Sequence, residues 1–282
     1  MWLALAVGLD LAAWKGWPPP AEAPTAPAPG PAPAPGLAAP VLLAEADEAA
    51  ILALYPSAPV LLRLAGEREV FVLVFPDLAA QAATMNRVAA LVEKAGFARD
   101  RLVTAEELAG AIAARGDTPA TWYMAHDYSA ADLARFFRLA DATGQKLSVE
   151  EAWLQAQLAP LHASGRDFAL LTLTAEAGGN DAVMRAAVLR HEVAHGRFFT
   201  RPAFAARVLA LWREALTTVE REAFTAFLAR EGYDTGNERL IANEAMAYLA
   251  FTPDPRLFKP ETIGLAPDRA AALRLLYERA LE

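Results

Sequence analysis

The 282-residue chain contains no cysteine. That excludes disulfides, a thiolate nucleophile and any cysteine metal ligand, so a bound metal would have to be held by His, Asp or Glu. No apolar run reaches the roughly 18 residues a conventional membrane-spanning helix needs. Positive charge is also short. With 26 Lys and Arg against 34 Asp and Glu the formal charge is -8, which leaves no excess positive potential to condense on phosphate and argues against nucleic acid as a partner. Histidine is scarce as well, and two of the 4 fall in one five-residue window. What is plentiful is apolar surface: 55% hydrophobic residues against 21% charged can build a sizeable core, as one large domain or as two lobes that share one.

The amino terminus differs from the rest. Met1 to Ala13 is apolar apart from Asp10 and is followed by Trp14, Lys15 and Trp17, residues that favour a membrane interface. Residues 1–17 therefore read as a signal or membrane-anchor segment, although no Lys or Arg precedes the apolar run as in most secretory signals. Pro18 to Pro40 holds ten of the chain's 20 prolines, interleaved with alanine. Such a segment lacks amide donors and core-forming side chains and acts as a semi-rigid linker. Together they suggest a body tethered through its N-terminus to a membrane in the cell envelope or periplasm; a solvated cytoplasmic tail is the alternative.

Residues 41–160 carry the pattern of a small β-hairpin followed by helices. Two β-rich runs flank Ala65, Gly66 and Glu67 between Pro59 and Pro76. A helix follows from Asp77 to about Lys94, with Leu78, Ala82, Met85, Val88, Ala89 and Val92 at helical spacing. Thr104 with Glu107 predicts a capping box, and Ser129 and Ser148 each open a helix with an acidic first turn. Residues 161–282 start with a loop placing His162 in solvent, then Asp167 to Thr174 alternates as a short strand. Asn180 or Asp181 caps a helix, and further helices are expected over Pro202 to Arg230, from Glu238, and over Pro267 to Leu281. The expected class is α+β, mainly helical.

His191-Glu192-Val193-Ala194-His195 is an H-E-x-x-H pattern inside the helix capped by Asn180 or Asp181. Four residues advance a helix by about 400°, so both imidazoles project from nearly one face and can converge on one ion. Metal-assisted hydrolysis suits this spacing: the cation activates water and polarises a carbonyl, and the intervening Glu192 can take the proton. A catalytic zinc site typically has three protein ligands and an open position. The best third ligand is Glu244, because a carboxylate among Ile241, Ala242, Ala245, Ala247 and Leu249 is costly unless paired or bound to a cation.

With HEVAH upstream and Asn243-Glu244-Ala245-Met246-Ala247 downstream, the chain resembles the gluzincin metallopeptidases over Phe168 to Phe251, about a third of its length. The resemblance implies a zincin-like catalytic lobe over residues 161–282, with His191, His195 and Glu244 binding Zn2+, Glu192 as general base and Phe168 to Thr174 as an edge strand that pairs with an extended substrate. It implies a peptide or protein substrate. Glu244 lies 49 residues beyond His195, a long gap that a helical insertion must fill, and Tyr248 stands where thermolysin-like enzymes carry Asp. No exopeptidase G-x-M-E-N motif occurs, which favours an endopeptidase. An oxyanion donor is also needed, with Tyr248, Tyr233, Tyr123, Tyr128 and His126 as candidates. Tyr248, one turn after Glu244, is read as the donor, with a buried packing role as its alternative. The competing reading of the whole chain is a non-catalytic zincin-fold envelope protein that acts by binding a partner; Glu192 between the two histidines favours catalysis.

Overall fold

The computed structural model describes residues 44–176 and 181–282. The segments expected at 1–17 and 18–40 lie outside them, and among the described residues no helix is long and apolar enough to cross a membrane. The strands are β1 (Glu45–Ala46), β2 (Val60–Leu64), β3 (Val70–Asp77), β4 (Asp127–Ser129) and β5 (Ala169–Glu176), in the sheet order β1-β2-β3-β5-β4. β2 and β3 form the expected antiparallel hairpin, with Gly66 at φ 80° supplying the left-handed turn residue. β3 then runs parallel to β5.

Alternation along β3 divides the core. Phe71, Leu73 and Phe75 face one layer and Val70, Val72 and Val74 the other, so a strand covered on both sides reads as a continuous apolar run. The first layer is built by α2 (Leu78–Val92), α3 (Ala105–Ala114), α4 (Ala130–Thr143) and α5 (Val149–Ala163), through side chains such as Met85, Leu108, Phe136 and Leu154. Against the second layer lie α1 (Glu48–Leu52) and α6 (Ala182–Thr200), through Ile51, Val188, Leu189 and Val193. The other side of α6, with Ala194 and Phe198, packs into a third cluster made by α7 (Pro202–Ala210), α8 (Thr218–Arg230), α9 (Glu238–Met246) and α10 (Pro267–Arg279). The architecture is thus mixed α+β and mainly helical.

The capping predictions are met at named atoms. Thr104, Ser129 and Ser148 each form a capping box, with Glu107, Asp132 and Glu151 respectively, and Asp181 caps α6 by accepting from the Met184 amide. Four expectations need correction. The helix expected over Pro202 to Arg230 is interrupted by a π-helical turn at Leu211–Ala215, and Thr217 caps a new helix through its own box with Glu220. His162 is in the last turn of α5 instead of a loop, because the helix continues through Pro160; its half-buried ring packs on Phe168 with centroids 5.0 Å apart. Phe168 to Thr174 is at the sheet edge only in part, since β4 lies outside it and pairs with Ala169, Leu170 and Leu171, while Leu173 and Thr174 extend beyond that pairing. The sheet also crosses the lobe boundary expected at residue 160: β5 inserts between β3 and β4, and the described residues pack as one unit.

Helix α6 lies very close to the sheet. A Cβ added at Gly196 would meet Val70 Cγ1 at 2.9 Å and Leu171 Cδ1 at 3.3 Å. Val70 is fully buried, and its branched side chain has one strongly preferred rotamer, so it cannot swing aside cheaply. Gly196→Ala is therefore expected to lose about 1–3 kcal/mol in urea unfolding despite alanine's better helix propensity. An unchanged midpoint would show that α6 can lift off the sheet without cost.

Candidate metal centre

Two helices bring the candidate ligands together. In α6 the His191 and His195 rings stand one turn apart with their Nε2 atoms 3.0 Å from each other. From α9, Glu244 Oε2 lies 4.0 Å from His191 Nε2 and 3.8 Å from His195 Nε2. The ligand atoms of the three residues all fall within 4.8 Å of one another. Glu244 is 1% exposed, and its Oε2 accepts no hydrogen bond from the described residues. A buried carboxylate oxygen without a partner is costly, and an N–H···N hydrogen bond between the two neutral imidazoles would leave that oxygen unsatisfied. The residues present fit a divalent cation, which would satisfy all three groups at once.

Neighbouring groups fix the histidine orientations. The Thr252 hydroxyl donates to the Ala247 carbonyl at 2.9 Å, so its oxygen must accept from His191 Nδ1, 2.7 Å away. That places the proton on Nδ1 and leaves Nε2 with a free lone pair towards Glu244. Thr252→Val should therefore weaken zinc binding about 10- to 100-fold in a chelator competition, with Thr252→Ser restoring it; equal affinity for all three would show that the hydroxyl does not orient the ring. His195 Nδ1 is buried and unpartnered, as is Asn243 Oδ1; the Asn243 side chain nonetheless favours the protonated ring. Burial outweighs it and lowers the His195 pKa to about 4. Burial and the charge of His195 likewise hold His191 well below the ordinary histidine value. Both rings are neutral near neutral pH, the form that ligates metal.

Glu192 is 5% exposed and its Oε2 also lacks a hydrogen-bond partner among the described residues. Burial, then the charges of Glu244 and Glu93, push its pKa well above the usual carboxylate range. Tyr248 is brought to the site: its ring meets the His191 ring edge-on with centroids 4.8 Å apart and also packs on Phe227 and Phe258. Two carboxylates that precede Glu244 in the chain are engaged elsewhere, Asp234 with Arg99 at 2.9 Å and Glu238 with Arg213 at 2.6 Å.

Two residues at the site escaped sequence reasoning. Asp127, in the edge strand β4, has Oδ2 3.8 Å from His195 Nε2. Glu93, just beyond α2, is 3% exposed and accepts from the Tyr128 hydroxyl at 3.0 Å. Because that hydroxyl proton goes to Glu93, His126 Nδ1, 3.0 Å from the same oxygen, donates to Tyr128. His126 thus belongs to a buried chain ending on Glu93 and is not among the residues grouped around the cation position. The adjacent Lys94 is buried over the Tyr123 and Tyr233 rings at 4.2 and 4.3 Å, and its Nζ donates to the Glu231 carbonyl at 2.9 Å. The apolar residues before Glu93 gave a signal for a helix but none for a buried acid at its end. No protein-family model, curated protein or solved structure matches this chain.

Proposed function

We infer that the chain is a zinc-dependent peptidase of gluzincin type that hydrolyses internal peptide bonds of a peptide or protein in the cell envelope, tethered through its N-terminal segment. The observation that carries this reading is the convergence of His191, His195 and Glu244, whose Oε2 lacks a hydrogen-bond partner among the described residues, with buried Glu192 on the helix of the two histidines. Two His and one carboxylate are a donor set suited to catalytic zinc. When bound, zinc supplies Lewis acidity that polarises a carbonyl and makes water a stronger acid.

The side chains supply the remaining roles. Glu192 accepts the proton of the attacking water and returns it to the departing amine, and its raised proton affinity suits both transfers. Thr252 holds the His191 imidazole in its ligating orientation. Tyr248, whose ring abuts His191, donates its hydroxyl proton to the negative oxygen of the tetrahedral intermediate. An extended peptide pairs along the outer side of β4, the edge strand that carries Asp127 to the site. The test is metal analysis and peptide-library cleavage by the purified full chain. One zinc per chain, internal cleavage, loss with a chelator and recovery with Zn2+ are expected. Zinc-free protein, or cleavage indifferent to chelation, would refute the reading.

A further inference from the structure

Beside the His191–His195–Glu244 group lies a second set of converging oxygens. One carboxylate oxygen each from Glu93, Asp127 and Glu244 fall within 4.8 Å of one another. The three residues come from different parts of the fold: the end of α2, the start of β4 and the middle of α9. Like charges so placed need a reason. Glu93 has one oxygen held by the Tyr128 hydroxyl. The Asp127 carboxylate accepts no hydrogen bond from the described residues, and its nearest cationic partner would be a protonated His195.

Two further observations point to an absent cation. Glu244 Oε2, in a side chain 99% buried, is unpartnered although it faces both imidazoles. Glu192 Oε2, outside the set and 95% buried, is also unpartnered, and Glu192 is the charge that acts most strongly on Asp127. Glu93, Asp127, Glu192 and Glu244 thus bring four acidic side chains into one largely buried region, where burial disfavours their charged forms and a bound cation would stabilise them.

We propose that Glu93, Asp127 and Glu244 form a second cation site, with the Glu244 carboxylate shared between it and the two-histidine zinc site. All of its protein ligands are carboxylate oxygens, so it takes a hard divalent cation such as Mn2+ or Mg2+, whereas the imidazoles of the first site select zinc. The arrangement rests on the zinc reading above for the first site only. Its consequence is a two-metal centre in which Asp127, reached from the edge strand, lies beside the substrate.

The test uses the full chain preloaded with zinc and titrated with Mn2+, with free Mn2+ read by electron paramagnetic resonance and zinc counted in parallel. One Mn2+ per zinc-loaded chain is expected. Asp127→Asn and Glu93→Gln should each weaken Mn2+ binding about tenfold or more while keeping one zinc per chain, and retained zinc reports an intact fold. Mn2+ left free at millimolar concentration by the zinc-loaded wild type overturns the proposal and leaves the zinc site standing, with a shared proton as the missing charge. Mn2+ bound equally by wild type and both variants overturns it too. A chain that takes no zinc but binds Mn2+ in an Asp127-dependent way rejects the zinc reading and keeps this one.

Discussion

Replacing Glu192 by Gln is expected to cut peptide turnover by about 10²- to 10⁴-fold while leaving one zinc per chain. Gln has nearly the same shape but an amide cannot accept the proton of the attacking water, and Glu192 is not among the groups that converge on the zinc position. The pH profile separates a lost base from a distorted site. Glu192 must be deprotonated to accept a proton, and burial disfavours its charged form, so activity of the wild type should show an acidic limb where this carboxylate takes up a proton. The residual activity of the Gln variant should lack that acidic limb, because the group that titrates is gone. A variant with normal turnover and an unchanged limb would place the base elsewhere, and Asp127, 3.8 Å from His195, would be the first candidate.

What could be read from the sequence was local. The hairpin at Val60 to Phe75, the Thr104–Glu107 capping box, the helix starts at Ser129 and Ser148 and the HEVAH helix each depend on residues within a few positions of one another, so their signals survive without tertiary context. Glu244 was reachable by a different argument, an acid embedded in an apolar helix, and the structure places it beside both histidines. Asp127 and Glu93 had no comparable signal. β4 is three residues long, too short for a period of two to declare itself, and its pairing with β5 is set by contacts 40 or more residues away in sequence. Assigning Phe168 to Thr174 to the edge failed in its first half for the same reason, since the strand that covers Ala169 to Leu171 is nearly invisible. Glu93 follows a helix whose apolar face is legible, but its partners Tyr128, Asp127 and Glu244 come from distant segments.

Zinc removal should destabilise the wild type strongly and His195→Ala hardly at all. At free zinc about 100 to 1,000 times the dissociation constant, binding to the folded state alone is worth about 2.7–4.1 kcal/mol. For a chain of this size that corresponds to a melting-temperature loss of roughly 5–15 °C on adding a chelator. His195→Ala removes a fully buried imidazole that is one of three converging ligands, so the variant should melt near the chelated wild type and ignore added Zn2+. pH gives the sign of the electrostatic part. Glu192, Glu244, Asp127 and Glu93 all have folded-state pKa values raised, chiefly by burial, so the zinc-free fold retains protons that the unfolded chain releases above about pH 4.5. Zinc-free stability must then decline as pH rises past that point, while the lowered pKa values of His191 and His195 act oppositely only below about 6.5. Cation binding needs the same carboxylates deprotonated and supplies the charge they lack, so the gap between zinc-loaded and zinc-free melting temperatures should widen from about pH 5 to about pH 8. A gap that narrows over this range, or persists undiminished in His195→Ala, would mean that the ion stabilises the protein from some other place.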